Sequence, residues 1–431
     1  MNMQANQPIG QPAIRLTAAE TALVESFASQ IGELPGNGAV TGTRDRLLDD
    51  LKKSGLPTRR IESWHYTDLK SLLRAIPERA PTAAIDPIAA LVPGSVVLPV
   101  LQGEANAAAT VDGVTVSAFR NHLADGTALA SLTALDKDDA IGRINGSFVR
   151  DGIALSVPAG AEVEAPIELQ ALHAAGQVHT RFPATFGASS KATIIERHRA
   201  VAEDGALVSS ISDITLEDGA EITWIILQQQ GPVDTHLAQI RVKLGTSAKL
   251  RLYVVNAGGK LVRQELRIEV QGEGAELTLR GVNLLGGDTH TDVTLVLGHN
   301  VPHTNSTETF RNVVFDKASG VFQGMIRVAP DAQKTDAKMA CNTLLMSDDG
   351  DFSVKPELEI FADDVICGHG ATVADIDRNH LFYLMARGVP ENKARAMLVN
   401  AFVAEIVEEL EEEPLVEALE EVISTWLEKH A

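Results

Sequence analysis

The sequence predicts a mainly β protein with α: a parallel β-helix core flanked by N-terminal and C-terminal helical regions. Three observations carry this. From about Ile144 to Ile376, short Val, Ile, Leu and Thr runs are punctuated by Gly, Asp and Pro, as strands are by turns. Within that stretch a unit of Gly, Ala, any residue and an aliphatic recurs: Gly160-Ala-Glu-Val163, Lys191-Ala-Thr-Ile194, Gly219-Ala-Glu-Ile222, Ser247-Ala-Lys-Leu250 and Gly274-Ala-Glu-Leu277, with Lys191 and Ser247 replacing Gly. The starts are 31, 28, 28 and 27 residues apart. On both sides of the stretch the apolar spacing turns helical.

A near-constant period of this length marks a solenoid, because a turn that cannot bury its own apolar face shares a core with its neighbours. Extended runs without intervening helical pattern make that solenoid a β-helix, with an open β-sandwich as the alternative. Small residues suit tight coil corners. An aromatic content of only 4% suits aliphatic ladders inside.

In chain order, residues 1–16 read as a polar tail. Thr17 and Glu20 form a capping box, and Leu23, Phe27 and Ile31 follow at helical spacing up to Gly36 and Gly38. A second helix is expected from about Thr43 to Ser54, with Leu47, Leu48 and Leu51 on its apolar face and Gly55 with Pro57 as its stop. The run PTRRIESWHYTDL, Pro57–Leu69, is read as an amphipathic connector anchored by Trp64 and Leu69. Residues 76–140 form an Ala-, Pro- and Gly-rich lead-in with strands near Val96–Leu101 and Val114–Ala118. After Asp375 a helix from Asp377 to Arg387 closes at Gly388, another starts at Pro390, and Pro414 separates a last one. The resulting division is 1–75 N-terminal helical, 76–140 lead-in, 141–375 β-helix core and 376–431 C-terminal helical.

Composition excludes several functions. Of 431 residues, 58 are Asp or Glu and 37 Lys or Arg, a net charge of −21. That disfavours nucleic acid and anionic membrane surfaces, which need clustered cations. Two cysteines are too few for a disulfide framework and fit a reducing compartment. The start MNMQANQPIGQ has no basic or apolar leader pattern, and no apolar run reaches a membrane span. A soluble, cytoplasmic protein is expected. There is no GxxxxGK[ST], dinucleotide fingerprint, HExxH, G-x-S-x-G or CxxC. His290, His299 and His303 form a local group, read as loop-exposed rather than metal-binding. Adjacent carboxylates at Asp348-Asp349 and Asp363-Asp364 raise the alternative of a carbohydrate-active β-helix enzyme. Neighbouring residues of a strand, however, point to opposite faces.

The chemistry concentrates in PELEIFADDVICGHGAT, Pro356–Thr372. If Val365–His369 is extended, Cys367 and His369 project the same way. A thiolate beside an imidazole is a ligand pair for zinc or an iron–sulfur centre, and equally a small buried Cys beside a hydrogen-bonded His. Near the C-terminus, Leu398, Phe402, Ile406 and Leu410 stripe a helix, and residues 401–431 hold ten Glu and one Lys. A helical pair at the end of a solenoid has little else to pack against, so this stripe is either a docking surface for a partner or a cap.

Three stretches resemble the SufB/SufD family of iron–sulfur cluster assembly subunits: Thr309–Val328, Lys334–Ile360 and the Cys367–His369 run. The connector at Pro57–Leu69 resembles the family too, and the Gly after His369 resembles its SufD branch. Cys341 sits where SufB-type sequences carry a cluster-related cysteine. SufB chains are longer, however, and have acidic residues around this His, so SufB is the secondary alternative. The resemblance implies a right-handed parallel β-helix and no bond-breaking activity. It implies two partners, a SufB-type subunit at the C-terminal end of the β-helix and a SufC-type ATPase on the C-terminal helices. It also implies that His369, with Cys367 and more distantly Cys341, serves iron or a nascent iron–sulfur cluster at the junction. No cofactor is expected to bind the lone chain tightly, and the open β-helix end invites homodimer formation when the SufB-type partner is absent.

Overall fold

The computed structural model describes residues 15–80, 85–106 and 110–430. Most of the polar tail 1–16 therefore lies outside the described residues. Two parallel sheets face each other along the chain. Among the described residues, one has ten strands running from the Val96–Leu101 end to Ile366–Ala374, and the other has nine, from Thr115–Ala118 to Asp351–Ile360. From Asp151–Val157 onward consecutive strands alternate between the sheets, so each turn adds one strand to each. Lys249 pairs with Glu276, Glu276 with Asn305, and Asn305 with Asp336. The mainly β, parallel β-helix class with helical flanks is the fold observed.

The coil corners explain the repeat. Gly160, Ser189, Gly219, Ser247, Gly274, His303 and Lys334 all adopt left-handed backbone, with φ between 54° and 75°. Each stands two residues before a strand register that pairs in parallel with the next turn. Their N–H groups bond across turns: Ser189 to the Asp218 carbonyl, Gly219 to Thr246 and Ser247 to Glu273, each at 2.8 Å. Glycine suits this conformation because a Cβ crowds the following carbonyl. The second copy of the sequence repeat, set at Lys191, is corrected to Ser189. Lys191 pairs with Glu221, which places Ser189 opposite Gly219.

Inward-facing residues stack as columns. Ile194, Trp224, Leu252 and Leu279 form one apolar column of the ten-stranded sheet. A polar column runs beside it: Asn256 Nδ2 donates to Asn283 Oδ1 at 2.8 Å, and Asn283 Nδ2 to Asn312 Oδ1 at 2.7 Å. These amides pair along the column inside a core where an unpaired amide is costly, and the Asn256 Oδ1 at its start is left without a partner.

Helices cover the outer faces. The N-terminal helices Ala18–Gln30 and Gly38–Ser54 pack with Trp64, Leu69 and the helix Ala140–Phe148 against Leu207, Ile211, Leu237 and Leu261 of the nine-stranded sheet. The Thr17–Glu20 capping box is present. The second helix starts five residues earlier than expected, because Asn37 caps it by accepting from Ala39 and Val40. Trp64 is 1% exposed and lies under the Arg263 guanidinium at 4.4 Å, the anchoring role expected of it. The lead-in strand Val96–Leu101 pairs in parallel with Ile167–His173.

The C-terminal helices Glu391–Val407 and Glu413–His430 lie on the outer face of the ten-stranded sheet. Val399, Val403, Ile406, Leu415, Leu419 and Ile423 pack there against Ile225, Leu227, Tyr253, Val255, Val282 and Val313. The expectation that this pair had little to pack against is corrected. An outward face rich in aliphatics needs a cover, and the helices supply it.

Candidate functional site at the open end of the solenoid

The last turn has one neighbour. Among the described residues, Ile366–Ala374 pairs only with Asp336–Leu345, in a register that sets Cys367 against Ala337, His369 against Met339 and Ala371 against Cys341. Ala337, Met339 and Cys341 line the interior, so Cys367, His369 and Ala371 continue that inner face at the mouth of the lumen. The alternation expected of the Cys-His dyad is what the strand delivers. Cys367 is half-buried and packs against the core, whereas His369 is exposed. Gly368 and Gly370 occupy the outer face, with nothing within 4 Å of where a Cβ would stand. An unpaired strand edge and an uncovered imidazole therefore share one end of the molecule.

The rim is apolar. Phe361 is 56% and Ile366 66% exposed, with Ile360 and Val373 also uncovered. Large apolar side chains gathered at one unpaired edge mark an interaction surface.

Burial, and after it the charges of Asp336 and Glu308, push the Cys367 thiol up, partly offset by a backbone hydrogen bond from Ala337. A thiol serves as a metal ligand only once its proton is lost, so burial opposes that state here. Cys341 is different. It is 1% exposed, it accepts from Asn312 Nδ2 at 3.3 Å, and burial pushes its pKa up to about 12. Its register partner is Ala371, four residues along the strand from Cys367 and two from His369, which makes it a diagonal neighbour of His369 on the inner face.

The other candidates disperse. His290 and His299 end the strand His290–His299 and His303 sits at a corner. The reading of all three as loop-exposed is corrected for His299, which is buried, with Nδ1 on Thr304 and Nε2 on Ser306, and for His290, which is half-buried in the strand with Nε2 on Thr67 Oγ1 at 2.8 Å. Asp348-Asp349 and Asp363-Asp364 lie on exposed turns, and Asp364 pairs with Lys334. Among the described residues no three His, Cys, Asp or Glu side chains converge on a metal-sized site, and no helix is long and apolar enough to cross a membrane.

Of the stripe on the C-terminal helices, Ile406 and Leu410 are 1% and 4% exposed, spent on the chain's own sheet, while Leu398 and Phe402 are half-buried. Arg311 lies over the Phe402 ring at 5.2 Å. The uncovered apolar side chains are elsewhere: Phe382 is 72% exposed, and Tyr383, Met385 and Met397 are also open. Sequence reasoning missed Phe382 and Tyr383 because a single short helix, Arg378–Met385, shows too few turns for a stripe. It also missed Glu308, although the alternation of Ser306, Glu308 and Phe310 would have put a carboxyl on an inner face.

Residues 170–402 match the SufBD core domain of SUF system FeS cluster assembly. The iron-sulfur cluster assembly protein SufD of Escherichia coli is 30% identical over 389 residues, covering 85% of this chain and 88% of that protein. A Synechocystis iron-sulfur cluster assembly SufBD family protein is 27% identical, covering 88% of this chain and 91% of its own length. The family model spans more than half of the chain, and the chain belongs to the SufBD family of iron–sulfur cluster assembly proteins.

Proposed function

We propose that this chain is a SufD-type subunit, a non-catalytic half of an iron–sulfur cluster assembly junction in the cytoplasm. The observation that supports this most is the placement of Cys367 and His369 on the inner face of a terminal strand whose other edge is unpaired. A second solenoid of the same family, a SufB-type subunit, would continue the sheets across that edge. His369 then faces the partner's ligands, with Cys367 behind it. Iron or the nascent cluster is the cargo, and imidazole with thiolate suits iron. The same unpaired end supports self-pairing of two copies when the SufB-type partner is absent.

A SufC-type ATPase would dock on the C-terminal helical region and supply the energy of hydrolysis. With Ile406 and Leu410 buried in the chain's own core, Phe382, Tyr383, Met385 and Met397 are the apolar contacts left for it. The deciding experiment replaces His369 with Ala and measures cluster formation on the reconstituted complex. Loss of assembly with intact complex formation is expected, and undiminished assembly removes His369 from the site.

A further inference from the structure

A groove of about 640 Å³ opens on the outer face of the ten-stranded sheet, lined by residues 89–91 of the lead-in and by Val422, Trp426 and Lys429 of the last helix. That volume suits a small metabolite. Ile195 and Leu227 pack under the C-terminal helices, so alternation along their strands puts Arg197, Arg199 and Gln229 on the same outer face. At this edge of the helical cover the sheet turns from aliphatic to cationic.

The two arginines are short of counter-charge. Arg197 is 7% exposed. Its ion-pair partner Glu168, at 3.5 Å, also accepts from the Leu91 N–H at 2.6 Å and from Gln170 Nε2 at 2.8 Å. Arg197 Nη1 donates to the Ala89 carbonyl at 3.2 Å, and its Nε has no partner. Burial pushes the Arg197 pKa down, Glu168 opposes this, and the charge of Arg199 adds to it. Arg199 and Lys429 are exposed and make no ion pair among the described residues. Two guanidinium groups side by side, with one carboxylate already shared among three donors, leave room for an anion, which would relieve their repulsion.

The rest of the groove limits what that anion can be. Glu203 and Glu421 also line it, both exposed, which disfavours an extended polyanion. Ala257, Val422 and Trp426 give it an apolar side. We propose that the groove binds a small metabolite with an oxyanion head, phosphate or carboxylate, held by Arg197 and Arg199, with Lys429 reaching it from the last helix and the body of the ligand against Val422 and Trp426. Its occupant bridges the solenoid and the C-terminal cover. The site is on the outer face of the sheet, whereas Cys367 and His369 are on the inner face, and it does not depend on the junction they form.

A chain of net charge −21 repels free anions, so saturable uptake of one points to a built site. The test titrates the full chain with pyrophosphate and with citrate by calorimetry and follows acrylamide quenching of tryptophan. Trp64 and Trp224 are buried, so quenching reports on Trp426. The wild type is expected to bind one equivalent of at least one probe and to shield Trp426 as the site fills. R199Q and K429Q, at exposed positions without partners, should keep the wild-type unfolding midpoint and weaken binding at least about tenfold, as loss of a charged hydrogen bond does. K243A, on the other sheet, should bind as the wild type does. Pyrophosphate alone assigns a phosphorylated occupant, citrate alone a carboxylic acid, and both together a site that takes either head. Absence of saturable binding by the wild type overturns the proposal, as does binding that survives R199Q or falls equally in K243A.

Discussion

Arg280 and Glu409 tie the solenoid to its C-terminal cover: Nε and Nη2 of the arginine donate to one carboxylate oxygen at 2.8 and 2.6 Å. The remaining Arg280 nitrogen donates to the Thr307 carbonyl at 2.9 Å, which fixes the guanidinium against the sheet. Arg311–Glu405 at 2.7 Å and Arg251–Glu411 at 3.3 Å repeat the pairing along the same helix–sheet boundary. The acidic C-terminal region is therefore partly a set of sheet contacts, not only a solvated face.

E409Q is expected to lower stability by about 1–2 kcal/mol, between the worth of a buried charged hydrogen bond and that of a surface pair. Glu409 is 42% exposed, so salt should erode the contribution. Urea unfolding at low and high salt checks this. Equal wild-type and E409Q midpoints at low salt would exclude the latch.

The corner positions give opposite expectations for two similar residues. At Gly219, with φ of 70°, alanine brings a Cβ into left-handed backbone and should cost about 1–2 kcal/mol. At Ser247, with φ of 54°, glycine relieves that strain at some entropic cost, so S247G should be neutral or more stable by up to about 1 kcal/mol. Denaturant midpoints of both variants test the assignment of Ser247 as a corner, and a destabilised S247G would contradict it.

Much of this architecture was legible in the sequence, and the gaps have physical causes. The capping box, the Trp64 anchor, the first strands of the lead-in and the inner face shared by Cys367 and His369 all follow from local spacing. The packing of the C-terminal helices was not legible, because a stripe such as Ile406 and Leu410 looks the same whether it meets a sheet or a partner. The corner at Ser189 was missed because Ala192 mimics the repeat two residues late. Glu308 was missed because a carboxylate reads as surface until register places it between Leu279 and Met339.

Stability should fall on both sides of a mildly acidic optimum. Burial holds His299 down at about 4 and His179 down at about 3, against a usual 6.5. Below pH 6.5 the unfolded chain binds protons that these folded imidazoles refuse. Each then removes up to about 1.4 kcal/mol per pH unit on acidification, until its folded pKa is reached. Glu308 acts in the opposite sense: from its ordinary 4.5 up to about 8 the folded state keeps a proton that the unfolded state has lost, so stability declines as pH rises through that window. Urea midpoints across the pH range should show a flatter alkaline limb in E308Q, a steeper fall on acidification from pH 6.5 to 4.5, where the two windows overlap, and an unchanged slope below 4.5. An alkaline limb identical to wild type would mean that Glu308 is ionised in the folded protein.

Docking of the ATPase is best tested without removing the C-terminal helices. Deleting residues 376–431 uncovers Ile225, Leu227, Tyr253, Val255, Val282 and Val313, and the resulting apolar sheet would aggregate or bind non-specifically. Phe382 and Tyr383 avoid this, being 72% and 55% exposed on a helix with no buried residues. The double variant F382S/Y383S should leave the unfolding midpoint unchanged, because no core contact is lost. It should weaken capture of the SufC-type ATPase at least about tenfold, the usual effect of removing aromatic anchors from the centre of an interface. Affinity measured by calorimetry on the purified pair checks it. Wild-type affinity in that variant would move the docking surface away from this helix, and I406S offers the complementary control. Buried against the sheet, Ile406 should fail by lowering stability, not by a selective loss of the partner.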